Sequence, residues 1–75
     1  MSGRLPTLKA RDAERVLKKL GFRLAEQKGS HVMWEHPDGR FTSVPRHGRE
    51  DIGRGLLRRI LEEINITPEE FAEYL

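Results

Sequence analysis

No cysteine occurs in the chain, so neither a disulfide nor a thiolate metal site can staple it. Aromatic residues are sparse: three Phe, one Trp and one Tyr. No apolar run approaches the roughly 18 residues that a membrane-spanning helix requires. Met1 to Leu8 holds no apolar stretch of the kind a signal peptide carries. A cytoplasmic protein with no membrane partner is expected. Basic residues are missing altogether beyond Arg59, where five acidic residues stand.

That absence makes the charge lopsided. All fourteen Lys and Arg lie within residues 1–59, against seven acidic residues, a balance of +7 there and −5 over 60–75. A basic body with an acidic tail suits a polyanionic partner such as nucleic acid, although an ordinary solvated surface has the same composition. The length, 75 residues, allows one domain and not two, spanning 1–75. A domain this small buries only about 60% of its unfolded surface, so one small core must hold it together.

The patterning supplies that core. Ala13, Val16, Leu17 and Leu20 recur at helical spacing within Thr7 to Leu20, and Gly21 offers a left-handed stop. Three short strands are then expected, at Phe22–Gln27, His31–Glu35 and Phe41–Val44, the first with Phe22 and Leu24 on one side. Lys28-Gly29-Ser30 and His36-Pro37-Asp38-Gly39 are the connecting turns, and Pro45 ends the third strand because it cannot donate to a ladder. Arg46 to Ile52 reads as a polar loop. A second helix over Gly53–Ile64 carries the stripe Leu56, Leu57, Ile60, Leu61 and Ile64, with Asn65 at its stop. Thr67-Pro68-Glu69-Glu70 starts a third, with Thr67 as cap, Pro68 in the first turn and Glu70 closing a capping box, while Phe71 and Leu75 fall one turn apart for packing.

The expected class is α+β, order αβββαα: a three-stranded antiparallel sheet with helices on one face. Its core would take Val16, Leu17, Leu20, Phe22, Leu24, Leu57, Ile60, Leu61 and Trp34, leaving the other sheet face open to a ligand or partner.

The chain resembles the HicA (YcfA-like) toxin family over nearly its whole length. The matching pieces are Leu20-Gly21-Phe22, then Lys28-Gly29-Ser30-His31, Pro37-Asp38-Gly39, Val44-Pro45 with His47 two residues on, Gly55 and Ile60. Ile66-Thr67-Pro68-Glu69-Glu70-Phe71 completes the set. The resemblance implies a double-stranded-RNA-binding-like fold, ribosome-independent mRNA cleavage, neutralisation by a HicB-like antitoxin in a type II toxin–antitoxin system, and His31 as the catalytic residue. Leu56 departs from the family, which often has threonine after the glycine that opens the second helix; packing rather than chemistry is expected to feel it.

Chemistry gives His31 its own case. RNA carries its nucleophile, the 2′-hydroxyl, so an enzyme need only move protons and steady the phosphorane. Histidine titrates near neutrality and serves as base or acid, with no metal or other cofactor required. A lone histidine opening a hairpin strand is otherwise more often structural, and the resemblance tips the balance. Lys28 and Ser30 flank it and can hold the scissile phosphate, or be a solvated turn lysine and a turn-forming serine. Arg46, Arg54 and Arg58 are candidate RNA contacts, the helical arginines (with Arg59) otherwise being partners for Glu62 and Glu63 one turn on. His47 is a candidate RNA contact or second acid–base group, or a loop anchor. His36 reads as structural, and a zinc site from His31, His36 and His47 is disfavoured by their spacing. Trp34 can stack a base but reads as core. The competing function is a non-catalytic RNA-binding module, since double-stranded-RNA-binding domains share the αβββα order.

Overall fold

The computed structural model describes residues 8–46 and 51–75. The elements run β1 (Leu8–Lys9), α1 (Ala10–Lys19), β2 (Arg23–Lys28), β3 (His31–Glu35), β4 (Phe41–Pro45), β5 (Asp51–Ile52), α2 (Arg54–Ile64) and α3 (Pro68–Ala72). Strands β2, β3 and β4 form the three-stranded antiparallel meander, with β3 in the centre. The α+β class holds, and the αβββαα order holds with two added two-residue strands, β1 and β5.

Period-two patterning decides which face is buried. Val32 and Trp34 of β3, with Thr42 and Val44 of β4, point to the helices and are fully buried. They meet Val16 and Leu17 of α1 and Leu57, Ile60, Leu61 and Ile64 of α2, with Phe71 of α3 closing the core. The opposite sheet face carries His31, Met33 and Glu35 of β3 and Phe41, Ser43 and Pro45 of β4. Trp34 is therefore core and is not available to stack a base.

Several features depart from the sequence expectation. Helix α1 starts at Ala10, because Leu8 and Lys9 are extended and pair with Ile52 and Asp51. The segment expected as a polar loop thus ends in a two-residue strand, and Ile52 is buried. Leu24 is 47% exposed. Strand β2 is an edge strand with every residue exposed; Leu24 pairs with core-facing Trp34 but lies at the sheet's edge. Leu20 is only partly buried, and Leu75 stays exposed while Tyr74 packs against the core instead.

Helix ends follow the local code. Asn65 caps α2 at φ 58°, ψ 48°, the left-handed geometry expected of it. The Thr67 hydroxyl accepts from Glu70 N at 3.1 Å, and Pro68 lies in the first turn. That is one arm of the expected capping box; no return bond from the Glu70 side chain is made. At the start of α1, Asp12 Oδ2 accepts the main-chain N–H of Lys9 at 3.0 Å.

Candidate functional site

His31 heads β3 and is exposed. Its cross-strand neighbours are Lys28 on β2 and Pro45 on β4, so it stands in the last rung of the meander. Between Lys28 and His31 lie only Gly29 and Ser30, and Gly29 makes the reversal at φ 61°. The turn thus brings Lys28, Ser30 and His31 to one corner of the sheet.

The second helix is docked so that its start faces the same end. Arg40 Nη1 donates to the carbonyl of Ile64, Thr42 Oγ1 to Glu63 Oε1 at 2.7 Å, and Arg59 Nη2 to the carbonyl of Ser43 at 3.0 Å. Moving up β4 from 40 to 43 therefore means moving back along α2 from 64 to 59. Arg54, its first residue, therefore lies toward the Pro45 end of the sheet, on the face the helices cover. Helix α1 begins there too, because β1 and β5 tie Leu8 to Ile52 just ahead of both helices. Two helix N-termini, each carrying partial positive charge, converge on that end of the sheet.

The predicted RNA contacts sort into distinct environments. Lys28 and Ser30 flank His31 at the turn. Arg54 and Arg58 are exposed on α2 and make no ion pair with any described residue, whereas Arg59 pairs with Glu63 at 2.8 Å, one turn on. Arg46 differs. Its Nη2 lies 2.9 and 2.8 Å from the two carboxylate oxygens of Glu14, and its main-chain N–H donates to the carbonyl of Ser30. Only one guanidinium nitrogen is used in that pair. His47 lies outside the described residues.

His36 is tied into structure at the far end of β3. Its ring packs edge-on against Phe22 with centroids 5.0 Å apart, and its Nδ1 accepts the main-chain N–H of Asp38 at 3.1 Å. With Nδ1 accepting, the neighbouring Asp38 Oδ1 at 3.0 Å is an ion-pair partner only for the protonated ring. His31 and His36 stand at opposite ends of β3, about 3.3 Å per residue apart along it, too far to share one ion. Among the described residues no cluster of His, Asp and Glu is placed to hold a metal.

Glu14 was not singled out by sequence. A glutamate on a helix otherwise bearing Arg15, Lys18 and Lys19 reads as surface, yet it is buried, and Trp34 Nε1 donates to it at 3.3 Å. Its position one residue past Ala13, within the apolar face of α1, was the available signal.

Residues 10–66 match a family model described as the HicA toxin of bacterial toxin–antitoxin systems. No curated protein matches the chain.

Proposed function

The chain belongs to the HicA toxin family of bacterial toxin–antitoxin systems, and from that premise we propose that it is a metal-independent endoribonuclease acting on mRNA. His31 is the acid–base catalyst in this reading. It exchanges a proton with the reacting 2′-hydroxyl or the leaving 5′ oxygen, and the 2′-hydroxyl oxygen attacks the adjacent phosphorus. The products are a 2′,3′-cyclic phosphate and a free 5′-hydroxyl. Lys28, Ser30 and Arg46 steady the scissile phosphate, while Arg54 and Arg58 hold neighbouring phosphates, with His47 on the adjoining segment. No cofactor takes part.

The observation that carries this reading is an exposed His31 paired across the ladder with Lys28, at the end of the sheet where α2 starts. A general acid–base group needs solvent and substrate access together with cationic neighbours to gather phosphate. The double-stranded-RNA-binding likeness of the αβββα order favours a second reading, an RNA-binding module without catalysis.

Family membership brings a cognate antitoxin, and a HicB-like protein is the proposed one. An acidic partner would be steered by the basic body and would cover the open sheet face with His31 at its end. No described helix is long and apolar enough to cross a membrane. A cytoplasmic site of action follows from an mRNA substrate.

Incubating the purified chain with single-stranded RNA in EDTA tests the proposal. Cleavage with cyclic-phosphate ends supports it. Binding without cleavage selects the module reading, and cleavage only with added metal contradicts the mechanism.

A further inference from the structure

We infer that Glu14 is a positioning residue for His31, acting through Arg46 and Trp34. The inference rests on reading His31 as the acid–base group. Glu14 sits on α1, on the side of the sheet opposite to His31, and reaches no substrate. Its carboxylate nevertheless gathers the backbone on either side of that histidine. Arg46, just past β4, places Nη2 against both of its oxygens, and the Arg46 main-chain N–H bonds the carbonyl of Ser30, the residue before His31. Trp34, three residues after His31 on β3, donates its indole N–H to the same carboxylate. The corner carrying His31 is therefore held from one point on α1 by two routes, one through the turn and one through the strand.

Stability alone is a poor account of this arrangement. Withdrawing a carboxylate from water is costly, and its attraction to a half-exposed guanidinium repays little of that cost. Buried ion pairs are often replaceable by apolar side chains without loss of stability. What a charged, three-contact hub supplies is direction. It fixes where the Gly29–Ser30 turn ends and hence where the His31 ring stands. In acid–base catalysis a misplacement of about 1 Å can lower rate about a hundredfold.

The experiment uses the whole chain with Glu14→Gln, which keeps size and drops the charge. The expected result is a fall in kcat of about ten- to a hundredfold with KM unchanged. RNA affinity measured in a His31→Ala background is unchanged too. In the RNA-free protein, the NMR ring resonances of His31 move while those of His36 stay in place. Arg46→Lys, which can return one nitrogen to the position of Nη2, retains most of kcat, and Arg46→Met does not. A Glu14→Gln protein with wild-type kcat and unmoved His31 resonances overturns the inference. A loss confined to the thermal midpoint overturns it as well, because that is a structural role only. Should Glu14→Gln fold poorly, the Glu14→Gln/Arg46→Met pair removes both charges, and its His31 resonances decide in the same way. If the wild-type chain does not cleave RNA, the reading of His31 fails, while the resonances of the RNA-free protein still decide the positioning role.

Discussion

Lys28 stands directly across the β2–β3 ladder from His31, in the last pair before the Gly29–Ser30 turn. Its ammonium makes no ion pair with any described residue. A phosphate bound near His31 would therefore gain a cation unpaired among the described residues. Lys28→Ala should weaken RNA binding equally across sequences and flatten the salt dependence by about one unit of slope. Titration of a His31→Ala background against RNA at several salt concentrations measures it. An unchanged slope would remove Lys28 from the phosphate site.

The hydrophobic stripe of α2 and the exposed edge strand make opposite predictions for two leucines. Leu61 is buried against the sheet, so Leu61→Ala should cost about 2–5 kcal/mol. Leu24 is half exposed on β2, and Leu24→Ala should cost well under that. Chemical denaturation of both variants checks the contrast, and equal losses would mean that β2 is packed more closely than the structure gives.

Gly21 and Gly29 both have positive φ, at 99° and 61°. A Cβ at Gly21 would lie 3.0 Å from His36 Nε2, whereas one at Gly29 meets nothing within 4 Å. Gly21→Ala should thus cost about 1–3 kcal/mol, and Gly29→Ala toward the lower end of that. Comparing their denaturation midpoints tests the order.

Asp38 in the β3–β4 turn is held below its usual carboxylate range, chiefly by the main-chain N–H of Arg40; desolvation opposes this, and the Arg40 side chain and charge and His36 lower it further. A depressed folded-state pKa stabilises above the unfolded value, and that contribution is lost as pH falls through the folded value. The stability gap between the wild type and Asp38→Asn should hold steady near neutrality and close on acidification below about pH 4. Denaturation at a series of pH values reads it, and a gap that widens with acid would contradict the assignment.

Sequence was most informative where structure is local. The α2 stripe, the left-handed Asn65, the Thr67 cap, the two turns and the core position of Trp34 all follow from period and side-chain chemistry within a few residues. It was least informative where partners are distant. Leu8 and Lys9 fit a helix start until Asp51 and Ile52 pair with them. Leu24 alternates correctly and pairs with core-facing Trp34, but strand order makes β2 an edge and leaves it exposed. Glu14 acquires its meaning only from Arg46 and Trp34. The candidate site shows the same division. Lys28, Ser30 and His31 are neighbours in sequence and were visible together. That α2 starts at the same end of the sheet depends on how it docks, and that Arg46 is bound to Glu14 depends on a contact spanning 32 residues.

The central claim is that His31 moves protons and does not fill the core. The most direct measurement is cleavage of a defined single-stranded RNA, in EDTA, by wild type and His31→Ala, with folding followed in parallel by circular dichroism. The account predicts cyclic-phosphate products from the wild type and none from His31→Ala, with both proteins folded and binding RNA alike. A folded His31→Ala chain that cleaves as fast as wild type would contradict it.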